Sequence, residues 1–251
     1  DHIMAISKLT HEVVKEVSPD TPNTYVPHAV DGDFFVPMDK MKLREEALSL
    51  DERGLHDKAQ LIMHTEPKDP HGQDLSHIVE KLGLTAGQVL FSTQKVSLDK
   101  MPIFYNMADV TINISDAEGF GLATLESLSC GTPIIATMTG GLQEQVSGPN
   151  GMNGIGLYAA SKAIIGSQQV PYIYEDRVSK KAFIAALNQM YDGGEEFRKE
   201  LGDNGRKHVL ENYNFDNFNK TWVDLMLKIH EEEGSWETRK GYSSITFKEV
   251  A

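Results

Sequence analysis

The fold is limited most strongly by short β-rich runs that alternate with helical patterns through the middle of the chain. Val110–Ile114 and Pro133–Thr137 each have the pattern of a strand, and Leu122–Ser129 between them has that of a helix. Five-residue runs of this kind suit the strands of a parallel sheet, which are buried on both faces. Strands that alternate with helices favour βαβ units over a sandwich or a helical bundle. We therefore predict an α/β fold, and 251 residues are enough for a sizeable core.

The alternation extends over most of the chain and ends in helices. Further strands are predicted at Ile3–Ser7, Ala59–Thr65, Val89–Ser92 and Leu157–Ala160. Further helices are predicted at Thr10–Val17, Lys40–Leu50, Asp74–Leu82, Leu98–Ala108, Ser179–Tyr191, Glu196–Asn212 and Asp216–Glu233. Ser147–Gly156 is glycine-rich and is predicted to be a loop, and the pattern beyond Pro171 is helical.

Charge and hydropathy exclude several classes of partner. The chain has 24 Lys and Arg against 37 Asp and Glu, a formal net charge of −13, so nucleic acid and anionic membranes are poor candidates. No apolar run approaches the roughly 18 to 20 residues that span a bilayer, and no signal peptide is visible. Cys130 is the single cysteine, which fits a reducing compartment. We expect a soluble, cytoplasmic protein.

Val110–Gly141 contains the residues with the clearest chemical potential. A buried strand ends near Ser115, a loop follows with Glu118 and the run Gly119–Leu122, and a helix then begins. This arrangement presents backbone N–H groups and the positive end of a helix at the carboxyl edge of a parallel sheet, where ligands of such sheets bind.

Glu118 and Glu126 lie on either side of the helix start. If the helix begins near Gly121, Glu126 lies roughly 7 Å along its axis at 1.5 Å per residue, so the two carboxylates do not form a close acid/base pair. They could instead bind the two hydroxyl-bearing ends of an extended ligand whose charged middle rests on the helix terminus, as in a sugar nucleotide. The alternative is that the glycines only form a tight connection, Glu118 only favours the helix N-terminus and Glu126 is a solvated helix residue.

The full string resembles the donor-binding signature of retaining glycosyltransferases of the GT-B architecture, in the sucrose-synthase-like and mannosyltransferase-like family known as group 1. In that signature two glutamates are separated by seven residues, with G-F-G-L after the first. A second part, G-x-P-x-I-A-x-x-x-G-G, follows downstream. The matching residues here are Glu118, Gly119, Phe120, Gly121, Leu122, Glu126, Gly131, Pro133, Ile135, Ala136, Gly140 and Gly141.

The resemblance implies a fold, a reaction and residue roles. The fold would be a Rossmann-like parallel sheet with helices on both faces, the C-terminal half of a GT-B enzyme, followed by C-terminal helices. The reaction would transfer a hexosyl group from a nucleotide-diphosphate sugar, with retention, without a metal or other cofactor. Glu118 would be the catalytic residue that contacts the transferred sugar, Glu126 would hold the ribose, and the Gly119–Leu122 backbone would lie at the sugar and diphosphate. The acceptor could be a sugar, a lipid or a protein.

The same resemblance predicts domain boundaries and a gap in the pattern. Residues 1–33 would end an N-terminal domain and form a linker, 34–214 would bind the donor, 215–233 would form the last helix, and 234–251 a tail. The family's first strand and helix, with their diphosphate-binding Arg and Lys, are expected near residues 50–59, where the chain is too short for them. No Lys or Arg occurs from Met101 to Ser161. A helix terminus contributes only about 0.3–1 kcal/mol per favourable charge. Either a cationic element is missing from this sequence or the site binds its ligand weakly, and we expect the first.

Two other functions remain open. One is a non-catalytic module that binds a nucleotide sugar or a protein partner. The other is a sugar-nucleotide epimerase or a phosphorylase of GT-B architecture.

Other residues have two interpretations each. His64, Glu66 and His71 could bind a metal but more readily form a polar loop. Asp31-Gly32-Asp33 resembles a D-x-D metal motif but is better explained as a turn. His28 could line an interdomain cleft or bond to the backbone, and Cys130 fits a small core residue better than a nucleophile.

Overall fold

The computed structural model describes residues 2–41, 59–70, 72–166, 168–235 and 238. The chain divides into two compact units, one made of residues 1–37 and 108–251 and the other of residues 38–107. The region in which we expect a missing strand and helix, residues 50–59, lies outside the described residues except for Ala59. Most of the predicted helix Lys40–Leu50 and most of the predicted tail lie outside them too.

The larger unit is built on a three-stranded parallel sheet. Its strands are β5 (Thr111–Asn113), β6 (Ile134–Thr137) and β9 (Gly154–Leu157), in the order β5-β6-β9. Thr111 pairs with Ile134, which pairs in turn with Gly154. The β6 side chains are buried throughout, as expected for a central parallel strand. A second parallel pair joins β1 (Ile3–Ala5) to β2 (Asn23–Tyr25).

Helices follow these strands and dominate the C-terminal part. The helices of this unit are α1 (Lys8–Val17), α4 (Leu122–Ser129), α5 (Leu142–Gln145), α6 (Lys180–Asp192), α7 (Gly194–Asn212) and α8 (Phe215–Glu233). Side chains cap several of them. Ser179 accepts a hydrogen bond from the Ala182 N–H at the start of α6, and Asn214 accepts one from the Asn217 N–H at the start of α8. The three C-terminal helices begin within a few residues of the positions predicted from sequence.

The core of this unit lies between the sheet and helices α6 and α7. Its buried members include Ile135, Leu157, Ala186, Met190 and Leu201. On another side of α7, the guanidinium of Arg206 donates to the backbone carbonyls of Gly32, Phe35 and Ser129. The segment that follows β2 is thereby attached to the end of α4.

The smaller unit has its own parallel pair. Strand β3 (Leu61–His64) pairs with β4 (Val89–Ser92), and Leu61 lies opposite Val89. Helix α2 (Leu75–Lys81) lies between them in sequence, and a 3₁₀ turn (Leu98–Lys100) and helix α3 (Met101–Met107) follow. In the described ranges of both units, no helix is long and apolar enough to cross a membrane.

Two predictions about residues 147–177 are wrong. Ser147–Gly156 is not one loop, because β7 (Ser147–Gly148) and β8 (Gly151–Met152) form a hairpin and β9 begins at Gly154, three residues before the predicted strand. The glycines of β9 look like loop residues in the sequence, but a Cβ on Gly154 would overlap the Ile134 carbonyl, so the close strand approach needs glycine there.

The second wrong prediction is the helical pattern beyond Pro171, because the second strand of an antiparallel hairpin lies there before the first helix. Strand β10 (Ser161–Ile165) pairs with β11 (Ile173–Arg177), and Ile164 lies opposite Tyr174. The region beyond Pro171 therefore contains a strand before its first helix. The hairpin was missed because several of its apolar side chains are exposed, so it lacks the pattern of one buried and one polar face.

Candidate functional site

Two loops meet at the carboxyl edge of the three-stranded sheet. One runs from the end of β5 to the start of α4, and the other from the end of β6 to the start of α5. Neighbouring parallel strands end at the same edge, so their following loops lie side by side. The Gly141 N–H donates to the Gly119 carbonyl at 3.1 Å, which fastens the second loop to the first.

Glycine is required on both loops. Gly121 has a φ of 91°, and a Cβ there would lie 2.5 Å from Leu142 Cδ2 and 2.8 Å from Thr124 Oγ1. Gly140 has a φ of 49°, and a Cβ there would overlap the Glu118 carbonyl oxygen. The two glycine sets of the predicted motif are therefore parts of one packed arrangement.

The predicted site residues occupy one strand–loop–helix turn. Glu118 is partly exposed, and its carboxylate makes no hydrogen bond or ion pair with the residues that the structure describes. Gly119 and Leu122 are exposed, whereas the Phe120 side chain is buried. Glu126 is partly buried on α4, five residues beyond Gly121. Gly121 is buried, so the exposed residues between the two carboxylates include Gly119 and Leu122 but not the two residues between them.

Three aromatic rings stabilise the loop from beneath. The Phe120 ring meets those of His28 and Tyr213 edge to face, with centroids 5.4 and 5.7 Å away. Tyr213 in turn meets the His208 ring at 5.2 Å. His28 therefore packs against a motif residue within the larger unit.

A buried carboxylate, Glu144 on α5, joins three parts of the larger unit, and sequence reasoning missed it. Its side chain is 8% exposed. It accepts hydrogen bonds from the Tyr25 hydroxyl, from the Lys8 backbone N–H at 3.1 Å and from the Tyr213 hydroxyl at 3.4 Å. The Lys8 ammonium group lies 3.8 Å from the same carboxylate. Strand β2, helix α1 and the end of α7 are therefore tied to the turn that follows the second loop.

This environment changes the acidity of both phenols. Burial, followed by the hydrogen bond to Glu144, raises the pKa of Tyr25 far above its ordinary value of 10.0. Burial, followed by the charge of Glu144, likewise raises the pKa of Tyr213 above 10.0. Both hydroxyls therefore keep their protons in the folded protein well beyond the pH at which an unfolded chain releases them.

We expect the free energy of unfolding to fall as the pH rises above 10. The unfolded chain then loses phenol protons that the folded chain retains, so the slope from each of the two tyrosines approaches about −1.4 kcal/mol per pH unit as the pH rises past 10. The stabilising contribution is complete below pH 10, the unfolded pKa. Urea titrations from pH 9 to 11.5 measure the free energy of unfolding at each pH. Its decline should be shallower for Tyr25→Phe than for the wild type, because unfolding of the variant releases about one proton fewer. Equal slopes in the two proteins would contradict this reading.

The β10–β11 hairpin is attached directly to the motif loop. The Asp176 N–H donates to the Asp116 carbonyl at 2.8 Å, and the Arg177 guanidinium lies 2.8 Å from the Asp116 carboxylate. Arg177 also pairs with Glu175 at 2.7 Å. Asp116 precedes Glu118 by two residues, so the hairpin supports the start of the loop.

The other sequence candidates have ordinary structural partners. His64 bonds to Ser92 at 2.9 Å and stacks on Phe104, whereas His71 of the same pattern lies outside the described residues. Within the described part, no group of three His, Cys, Asp or Glu residues could hold a metal ion. Asp31 accepts from the Asp33 and Phe34 N–H groups, which confirms the predicted turn. Cys130 is buried, as predicted for a core residue.

Known proteins resemble this chain in both sequence and fold. A D-inositol 3-phosphate glycosyltransferase of Paenarthrobacter aurescens (strain TC1) is 37% identical over 82 residues, which are 33% of this chain and 19% of that protein. An MMP alpha-(1->4)-mannosyltransferase of Mycolicibacterium hassiacum is 27% identical over 152 residues, 61% of this chain and 31% of that protein. The matched part of the chain thus spans less than a third of either relative.

Solved structures share the fold over nearly all of the chain. Sucrose-phosphate synthase from Thermosynechococcus elongatus aligns with a TM-score of 0.69 and 18% identity, over 92% of this chain and 59% of that one. Anabaena Alr3699/HepE in complex with UDP-glucose aligns with a TM-score of 0.66 and 14% identity, over 90% of this chain and 64% of that one. The predicted α/β fold of GT-B type is confirmed.

The family itself is settled by a sequence match that covers well over half of the chain. Residues 46–208 match the family described as glycosyl transferases group 1. The signature at residues 118–141 lies within this range. The chain therefore belongs to the group 1 glycosyltransferases.

Proposed function

We propose that this chain provides the donor site of an enzyme that transfers a hexosyl unit from a nucleotide-diphosphate sugar, with retention of anomeric configuration. The observation that carries the proposal is the packed edge of the sheet, where the exposed residues Gly119 and Leu122 lie between Glu118 and Glu126. Two further facts support it. The chain belongs to the group 1 glycosyltransferases, and its motif resembles their donor-binding signature.

Each motif residue has a role in this proposal. Glu118 is the catalytic residue and accepts hydrogen bonds from hydroxyls of the transferred sugar. Its carboxylate suits this role because it has no partner among the residues that the structure describes. Glu126 binds the ribose. The backbone of Gly119, Phe120, Gly121 and Leu122 lies at the sugar and diphosphate, where N–H groups at a helix start favour anions. Phe120 contributes through its backbone, because its ring is buried.

The proposed chemistry relies on positioning more than on acid or base side chains. The bond between the anomeric carbon and the diphosphate oxygen breaks, and the acceptor oxygen bonds to the same face of that carbon. The acceptor proton passes to the leaving diphosphate. The protein orients the donor and stabilises the charge that develops on the leaving group. No metal or other cofactor takes part in this scheme.

The donor, the acceptor and the domain boundaries are parts of the same proposal. UDP-glucose is the first donor to test, because HepE was solved with it. The acceptor is a sugar, a lipid or a protein. We assign donor binding to residues 34–214 and the last helix to 215–233, with 1–33 as the end of a preceding domain and linker. We place the enzyme in the cytoplasm.

Calorimetric titration with UDP-glucose, GDP-mannose and ADP-glucose tests these roles. We expect Glu118→Ala and Glu126→Ala each to weaken donor binding by about 10- to 100-fold, because each removes a hydrogen bond to a charged group worth about 1.5–3 kcal/mol. Glu200→Ala, an exposed acid on α7, is the matched control and should leave the affinity unchanged. Unchanged affinity in both motif variants would remove the assigned roles.

A non-catalytic nucleotide-sugar-binding module is the second candidate. Two cations of the larger unit already have acidic partners, which favours this candidate. Arg177 forms ion pairs with Asp116 and Glu175, and Lys8 forms one with Glu144. A leaving diphosphate would then lack a free cation from these two residues. Sugar transfer by the full-length natural protein, detected by product analysis with and without an added acceptor, would exclude this candidate.

A further inference from the structure

Gln145 on α5 contacts the motif loop from inside the protein. Its side chain is fully buried, as is that of Thr124 on α4. The Gln145 amide nitrogen donates to the Phe120 carbonyl at 2.7 Å and to the Gly121 carbonyl at 3.1 Å. Its amide oxygen lies 2.6 Å from the Thr124 hydroxyl. Both the amide nitrogen and the amide oxygen of Gln145 therefore have hydrogen-bond partners on the loop and the helix that follows it.

The pattern fixes which way the amide points. A flipped amide would direct its oxygen at two carbonyl oxygens, with no hydrogen between them, so the nitrogen must face Phe120 and Gly121. The Thr124 hydroxyl then donates to the amide oxygen, although the Gly121 carbonyl is also within reach at 2.8 Å. The Asn153 side chain donates to the Gln145 backbone carbonyl at 2.9 Å and holds α5 in place.

Holding these two carbonyls also orients the N–H groups of the loop. A trans peptide is planar, and its N–H points opposite to its C=O. The planes that carry the Phe120 and Gly121 carbonyls also carry the N–H groups of Gly121 and Leu122. With both oxygens turned toward Gln145, both N–H groups are turned away from it. The first N–H groups of a helix have no carbonyl partner within the helix. Of the two residues, Leu122 is exposed and Gly121 is buried.

We propose that Gln145, supported by Thr124, is a positioning residue that fixes the backbone from Phe120 to Leu122 and so orients the Leu122 N–H group toward the diphosphate of the donor. The inference rests on the proposed donor site and adds to it a buried side chain that never touches the ligand. An apolar residue at position 145 would fill the space but leave the Phe120 carbonyl without this donor. The Gly121 carbonyl would keep only its bond from the Leu125 N–H at 3.2 Å and the Thr124 hydroxyl within reach.

The test compares donor affinity with stability in the full chain. Gln145→Glu replaces the donating amide by a carboxylate that repels both carbonyls, and we expect it to weaken binding of UDP-glucose, GDP-mannose or ADP-glucose by tenfold or more. Thr124→Val should weaken binding to a lesser extent, and Thr124→Ser, which retains the hydroxyl, should restore it. Leu201→Ala is the control for general destabilisation, because Leu201 lies in the core cluster with Ile135 and Met190.

A merely structural role predicts a different result. Gln145→Glu and Leu201→Ala would then lower the melting temperature while the folded fraction of each binds the donor as tightly as the wild type. That outcome would overturn the inference.

Hydrogen exchange separates this inference from the proposed function. Without any ligand, Gln145→Glu should speed amide exchange in peptides that cover residues 116–125 more than Leu201→Ala does. If the wild type binds none of the three donors, the donor-site proposal fails and the exchange result alone decides whether Gln145 restrains the loop. Equal exchange in the two variants would show that it does not.

Discussion

Gly140→Ala is expected to destabilise the protein by about 3–5 kcal/mol and to remove donor binding. A Cβ at this position would overlap the Glu118 carbonyl oxygen and approach the Gly119 carbonyl oxygen to 3.3 Å. These are backbone atoms, so the clash is relieved only if one of the two loops moves. Alanine at a positive φ adds about 1–2 kcal/mol of its own. Since the displaced loop contains Glu118, stability and ligand affinity should fall together.

Gly194→Ala provides the matched control for this prediction. Gly194 lies in the same unit and has a φ of 71°, but no heavy atom outside its chain neighbours and the backbone of its own helix lies within 4 Å of its Cβ position. Alanine here should therefore cost only the conformational contribution of about 1–2 kcal/mol. Urea unfolding of both variants, with donor calorimetry on each, separates backbone strain from the clash. If Gly140→Ala costs no more than Gly194→Ala, the contact between the two loops is not as tight as described.

Glu144→Ala is expected to have a similarly large effect, about 3–5 kcal/mol, through a different cause. The substitution leaves the partly buried hydroxyls of Tyr25 and Tyr213 and the N–H of Lys8 without their shared acceptor. Glu144→Gln keeps an acceptor oxygen and should lose less. Gln143→Ala, an exposed residue of the same helix, should change stability little.

A double-mutant cycle measures the central contact of this cluster. We expect Glu144→Ala and Tyr25→Phe to be coupled by about 1–3 kcal/mol, because each removes one side of the same buried hydrogen bond. Chemical denaturation of the four proteins of the cycle gives this value. Strictly additive losses would mean that Tyr25 and Glu144 contribute independently, and the cluster would then not join β2 to α5 energetically.

The motif segment could be predicted closely because its structure is local. Helix α4 has the predicted bounds, Leu122–Ser129, and β6 begins one residue after the predicted start. In this region a strand, a glycine turn and a helix follow one another within about 30 residues, so the order of residue types specifies the turn. The roles of Glu118 and Glu126 as ligand-binding residues stay predictions.

The supports of the motif could not be predicted, because they come from distant parts of the chain. Tyr25 and Glu144 are 119 residues apart, and Gln145 reaches back 25 residues to Phe120. A buried glutamate or glutamine on a four-residue helix looks like an exposed polar residue in the sequence, since its partners become neighbours only in the folded chain. A buried amide that bonds to two carbonyls has no signature in a single sequence.

The larger unit is discontinuous in sequence, which limits how the chain can be divided. Residues 38–107 form their own compact unit and interrupt it. A fragment that starts at Met38 would retain the whole Glu118–Gly141 signature, yet Glu144 would lose the Tyr25 hydroxyl and the Lys8 N–H, and Phe120 would lose the His28 ring. The smallest piece that keeps these contacts to the motif loop therefore includes residues 8–28, although the family match begins only at residue 46.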